Sequence, residues 1–212
     1  MKYINISVAV ILIALVAAGL ALYPRMPGKM HSHWNAAGSA DGQMPKAWAL
    51  FLVPGILALL LALFNIIPAL DPLKDNIKMF RGFYGFFVLV FSLFLAYVHA
   101  LTLLWNTGAR FDMIRALAPA MGILFYAAGM LLGKARRNWF IGIRTPWTMS
   151  SDQVWDMTHK RGGRLFRLSG ILAALGAFSG SFAVYIMLGP VLLSSLYLVF
   201  YSWLLFSRQK TL

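Results

Sequence analysis

The chain has 212 residues, of which 60% are hydrophobic and 12% charged. Soluble domains carry about 45–50% apolar and about 25% charged residues. So few charges cannot cover a soluble fold of this length, which excludes a cytosolic enzyme as the default and points to a membrane protein. Nineteen Lys and Arg oppose six acids, a net charge of +13, and every acid is Asp. No soluble module combining basic and aromatic residues is visible. The excess therefore reads as loop charge that orients helices and meets anionic lipid, not as a nucleic-acid surface. Cysteine is absent, so disulfides, iron–sulfur clusters and thiol nucleophiles are excluded.

A membrane-crossing helix needs about 20 mostly apolar residues. Six stretches meet this in chain order. Ile4 to Leu22 is uncharged and longer than the apolar core of a signal peptide, so it reads as a retained anchor. Ala47 to Leu70 contains Pro54 and Pro68, kinks that membrane helices tolerate. Gly82 to Leu104 and Ala116 to Leu132 follow. Leu168 to Phe206 holds two more, divided near Gly189-Pro190 as a tight hairpin. With both termini inside, fourteen basic residues (Lys2, Lys210 and most of those between Lys74 and Arg167 among them) face the cytoplasm. Five remain outside: Arg25, Lys29, Lys46, Arg110 and Arg115. The expected fold is an all-α membrane protein of six transmembrane helices, N-in and C-in, with a short interfacial helix in the fourth connection.

Two connections are long enough to hold function. The outer one, Pro24 to Lys46, contains His31, His33-Trp34-Asn35, Gly38, Asp41-Gly42 and Lys46. Asp41-Gly42 suits a turn, and Trp34 and Trp48 suit the membrane interface. The set reads as a hydrogen-bonded cap, with no metal assigned. A site using His31, His33 and Asp41 is the sharper but weaker alternative, since His and Asp ligate zinc and two His at i, i+2 say little alone. A cationic surface for an extracellular ligand is the third reading.

The inner connection, Gly133 to Arg164, contains Asn138, Gly142, Arg144-Thr145-Pro146-Trp147-Thr148, Trp155, His159 and Gly162-Gly163. Ser150 with Gln153 fits a capping box, and Gly162-Gly163 fits a stop, giving a helix over about 151–161 with Trp155 and His159 on one face. Arg144 lies in an apolar and aromatic run and needs a partner: a carboxylate (Asp71, Asp75, Asp152 or Asp156), helix carbonyls or a lipid phosphate. Within the spans, His99 is the deep ionisable residue, a functional position by default, with a hydrogen bond to a neighbouring helix as the plainer reading. No catalytic residue and no cofactor is assigned. His159 with Asp156 or Asp152 as acid and base is weighed and set aside, because no nucleophile or metal accompanies them.

The inner run Asn138-Trp139-Phe140-Ile141-Gly142-Ile143-Arg144-Thr145-Pro146-Trp147-Thr148, followed by Trp155, His159 and Gly162-Gly163, resembles the signature of the SdpI family of bacterial membrane proteins. The outer loop is similar to a small domain of unknown function that often precedes it, on Pro24, Pro27, His33, Trp34, Asn35, Gly38, Asp41 and Lys46. His31 stands where that pattern has Pro. The resemblance implies a multi-pass protein of the bacterial plasma membrane. It would protect its host from a secreted peptide toxin and relay the toxin's presence by capturing a cytoplasmic repressor, with lipids as further partners. It implies two parts: residues 1–70, a helical hairpin with the outer His-Trp-Asn loop, and residues 71–212, a four-helix domain with the inner signature loop over 133–164. A small transporter or lipid-handling protein is the alternative function. Neither the oligomeric state nor direct nucleic-acid binding is indicated.

Overall fold

The computed structural model describes residues 1–209; the basic residue Lys210, counted above with the inner charges, lies outside them. Six long helices account for most of the chain: α1 (Lys2–Leu22), α2 (Lys46–Leu70), α4 (Arg81–Asn106), α5 (Met113–Leu132), α7 (Asp152–Leu175) and α8 (Ala183–Gln209). Two short helices, α3 (Lys74–Met79) and α6 (Pro146–Ser150), lie in the connections, and strands β1 (Lys29–Trp34) and β2 (Ala40–Pro45) form an antiparallel hairpin between α1 and α2. Five helices are long and apolar enough to cross a membrane: α1, α2, α4, α5 and α8. Their outward faces carry large apolar side chains, among them Val10, Ile13, Leu59, Leu193 and Leu196. Exposed apolar surface of this extent is a lipid-facing coat, not a water-facing one.

The fold is mostly helical, as expected of an all-α membrane protein, with the β1–β2 hairpin added in the first connection. Two expectations are corrected. The predicted division near Gly189-Pro190 is absent: both residues lie inside α8, and the turn falls earlier, at 176–182, where Gly180 takes φ +61°. Pro190 is accommodated within α8 as membrane helices accommodate proline. The short helix over 151–161 is the opening of the long α7, which runs without interruption through Gly162-Gly163. Its cap is Ser151, accepting from the Val154 amide at 3.3 Å, one residue after the predicted Ser150.

Gly162 and Gly163 serve packing. A Cβ on Gly163 would lie 2.8 Å from the Gly129 carbonyl oxygen and from the Gly133 backbone. One turn-pair further along, Cβ atoms on Gly122 and Gly170 would each lie 2.6 Å from the other's carbonyl oxygen. The α5–α7 seam is thus backbone against backbone, which gives membrane helices their dispersion contacts in the absence of a hydrophobic drive. A second core joins Val8 of α1, Leu57 of α2, Tyr84 and Val88 of α4, Leu131 of α5 and Trp155 of α7. The hairpin is anchored by its own cluster, Met26, Met30, Ala49, Leu50 and Leu103.

The helix order places the β1–β2 hairpin, the α4–α5 connection and the 176–182 turn at one end of the bundle. The α2–α4 connection, α6, the start of α7 and the end of α8 lie at the other. Hydrogen bonds mark both ends: Asn106 Nδ2 donates to His31 O at 2.9 Å at the first, and Gln209 Nε2 donates to Gln153 Oε1 at 2.8 Å at the second.

Candidate functional site

The segment 135–145 has no regular structure, so its backbone groups need side-chain partners. Asn138 supplies many of them. It is wholly buried; its Oδ1 accepts from the amides of Phe140 (3.0 Å) and Ile141 (2.6 Å), and its Nδ2 donates to the carbonyls of Arg136 and Ile141, both at 2.8 Å. Gly142 then turns the chain at φ +124°, and a Cβ there would run into His159 Nε2. This is a position that only glycine fits.

That turn delivers the Ile143 amide to His159. The amide donates to His159 Nε2 at 2.9 Å, and His159 Nδ1 faces the Trp155 carbonyl at 2.9 Å. An amide can only donate and a carbonyl only accept, so the ring is neutral with its proton on Nδ1. The imidazole stacks on the Trp155 indole, centroids 3.9 Å apart and planes 14° from parallel. Trp155 is 0% exposed and its Nε1 donates to the Ala135 carbonyl at 2.9 Å. Both His159 nitrogens are engaged, Asp156 pairs with Arg136 (3.0 Å) and Asp152 with Arg137 (2.7 Å).

Thr145-Pro146-Trp147-Thr148 starts α6 with a reciprocal cap. Thr148 N donates to Thr145 Oγ1 at 3.2 Å, Thr145 N to Thr148 Oγ1 at 2.9 Å, and Pro146 takes the first helical position. Thr148 Oγ1 also donates to the Ile143 carbonyl at 2.8 Å, and Thr145 Oγ1 meets Ser202 Oγ of α8 at 3.0 Å. Trp147 is half-buried beside them. Arg144 is exposed, and its Nη1 donates to the Trp139 carbonyl. Its partner is therefore a loop carbonyl, and none of the four aspartates considered for it. Asp71, 2% exposed, bonds elsewhere in the same clasp: Oδ2 accepts from the Trp139 amide (2.9 Å) and Oδ1 from the Leu73 amide (2.7 Å). Asn76 Nδ2 adds a bond to the Arg137 carbonyl at 2.7 Å. Asp71 and Asn76, the acceptor and donor that tie the α2–α4 connection to the clasp, carry no motif that marks them in the sequence.

Burial pushes His159 down to about 4 from an ordinary 6.5, with the Trp155 carbonyl and Asp156 opposing the shift. His159 precedes Lys160, Arg161 and Arg164 and so lies outside the apolar length of α7. The unfolded loop takes up a proton below pH 6.5 and the folded one only near 4. The clasp therefore keeps its full stability above 6.5 and loses it as pH falls through that window, on the order of 3 kcal/mol in total. Limited proteolysis of the 134–164 segment should accelerate between pH 6.5 and 4, and His159→Gln should flatten the profile. A wild-type profile as flat as the variant's would show that His159 is not held neutral in this clasp.

At the hairpin end, Asn35 Oδ1 accepts from the amides of Ala37 (3.0 Å) and Ser39 (3.1 Å), and Gly38 completes the turn at φ +75°. The turn is thus 35–39. Asp41-Gly42, expected to turn, is in β2, where a Cβ on Gly42 would sit 2.8 Å from His33 Cβ. His33 Nδ1 and Asp41 Oδ1 pair at 2.5 Å, whereas His31 Nε2 faces Gln43 Nε2 at 3.4 Å. The described residues hold no group of three His or Asp arranged for a metal ion. Lys46 Nζ donates to the Tyr23 carbonyl at 3.3 Å and sits over the Tyr23 ring. Trp34 packs edge-on against Trp105 at 5.7 Å. Asn106 grips His31 from α4, accepting from its amide at 2.8 Å as well as donating to its carbonyl; the sequence gives no sign of this clamp. His99 of α4 is wholly buried, and neither ring nitrogen has a partner, contrary to the interhelical bond expected of it.

These features define a multi-pass helical membrane protein with a β-hairpin at one end and a hydrogen-bonded clasp at the other. Residues 134–202, which contain most of the clasp, match the SdpI/YfhL protein family, and residues 10–58, which contain the hairpin, match a domain of unknown function, DUF1648. Over 195 residues, 92% of this chain and 91% of the relative, the chain is 24% identical to the immunity protein SdpI of Bacillus subtilis (strain 168). No solved structure matches it.

Proposed function

We propose that this chain is a membrane immunity protein that protects its cell from a secreted peptide toxin. The observation that carries the reading is its likeness to an immunity protein over nearly the whole of both chains. In this reading all six long helices cross the membrane, α7 by its apolar second half, and both termini face the cytoplasm. The fourteen-to-five distribution of basic residues supports that orientation. Residues 1–70 present the hairpin to the outside, and residues 71–212 carry the clasp within. The signature residues Asn138, Gly142, Thr145, Thr148, Trp155 and His159 build the clasp, and Arg144 is an exposed cation on it. Capture of a cytoplasmic regulator is assigned to the same end. What supports it is the basic cleft of Lys134, Lys160, Arg164 and Arg167 beside the clasp. A small lipid-handling protein is the second reading, favoured by the unpartnered His99.

The test is survival of a toxin-sensitive bacterium expressing the chain and challenged with a membrane-active peptide toxin. The parent should protect. Arg144→Ala should accumulate normally, since Arg144 gives up one bond to a loop carbonyl, yet lose protection by an order of magnitude or more in survivors. Equal protection by the variant would remove Arg144 from the mechanism. No protection by a parent confirmed in the membrane would remove immunity to that toxin.

A further inference from the structure

Beneath the hairpin lies a cavity of about 220 Å³. Its roof is Trp34 of β1 and Met44 of β2, its back is His99 of α4, and its two sides are Leu52 of α2 and Met113 and Leu117 of α5. His99 is 0% exposed, yet both its ring nitrogens lack a protein partner, and so does the buried Nε1 of Trp34. Such groups carry a desolvation cost that a native fold seldom leaves uncompensated. We propose that this cavity binds a small neutral ring compound bearing a carbonyl or hydroxyl oxygen, the chemistry of a quinone or quinol head group, which enters sideways from the membrane.

Each element of the proposal has a source in the cavity wall. An indole N–H only donates, and a neutral imidazole offers one donor and one acceptor, so the unmet need is for an oxygen. The Thr102 hydroxyl nearby spends its proton on the Val98 carbonyl at 2.9 Å and presents only lone pairs. No Lys, Arg or Asp is among the described residues lining the cavity, and His33 at its rim is paired with Asp41, so the ligand is neutral. Two thioethers and an indole suit a flat ring. A dry cavity of about 150 Å³ holds benzene, so this one takes a ring with substituents. Leu52, 39% exposed, lines the cavity from an apolar span, which offers a route of entry from the membrane. The proposal does not depend on toxin immunity.

The experiment uses the full chain in lipid nanodiscs with 2-methyl-1,4-naphthoquinone as probe; without cysteine, the chain offers the probe no thiol to alkylate. Equilibrium dialysis should show saturable binding, one per chain, with 2-methylnaphthalene, which lacks the oxygens, at least about tenfold weaker. Trp34→Phe keeps the ring against Trp105 and removes the N–H; His99→Leu removes both orphan nitrogens. Each should weaken the quinone about tenfold. Melting without probe shows that the variants fold, and the Trp34→Phe arm stands alone if His99→Leu does not. No saturable quinone binding, or equal binding of the oxygen-free ring and of both variants, overturns the proposal. Binding of N-acetyl-tyrosinamide in place of the quinone overturns it in favour of a peptide side-chain pocket.

Discussion

Gly163→Val should leave little or no folded protein in the membrane. A Cβ alone at this position would meet the Gly129 carbonyl oxygen, the Gly133 Cα and the Gly133 nitrogen, each at 2.8 Å. All three are backbone atoms of α5 or of its C-cap Gly133 and cannot rotate aside, and valine adds two methyls beyond the Cβ. Overpacking against side chains costs about 1–3 kcal/mol. Here two helices must part, which also breaks the contact between Gly122 and Gly170, so the expected loss exceeds about 4 kcal/mol. Membrane accumulation and thermal melting in detergent report it, with Gly189→Ala as the reference, since a Cβ there meets nothing within 4 Å. A Gly163→Val protein that accumulates and melts like the parent would show that α5 and α7 are not in backbone contact.

Trp155→Ala should be the most damaging change within the clasp. The side chain fills a wholly buried position, and truncation of a buried Trp costs about 3–5 kcal/mol. It would also remove the stacking partner of His159 and the donor to the Ala135 carbonyl. Trp155→Phe keeps most of the packing and loses the hydrogen bond, for about 1–2 kcal/mol. Thermal melting together with protease sensitivity of the 134–164 segment should rank parent, Phe and Ala in that order. Equal melting of all three would place Trp155 outside the core.

The helices were legible because each run of about 20 apolar residues must bury or satisfy its own backbone in lipid. Glycine and proline misled for the same reason. In water Gly162-Gly163 and Gly189-Pro190 punctuate; in a membrane bundle the first pair admits a neighbouring helix and the second is absorbed into α8. The β1–β2 hairpin was hidden because Asp41-Gly42 has the chemistry of a turn, although the chain reverses at Asn35 and Gly38. In the clasp, Trp155 and His159 were visible as neighbours on one helix face, whereas the capping box forms at Thr145 and Thr148 and not at Ser150 and Gln153. The bonds of Trp155 to Ala135, of His159 to Ile143 and of Thr145 to Ser202, and the anchoring of Trp139 by Asp71, join positions far apart in sequence, and no local spacing encodes them.

Pro45 closes β2 and caps α2 with no residue between them, and α2 is capped at its other end by Asp71, which holds the Trp139 amide. One continuous helix of 25 residues, about 37 Å long, therefore joins the hairpin directly to the clasp. Pro54 and Pro68 each remove a backbone bond, one in each half of this helix. Mechanically it is a rod with two joints, and the path from the hairpin to the loop that displays Arg144 passes through no other helix.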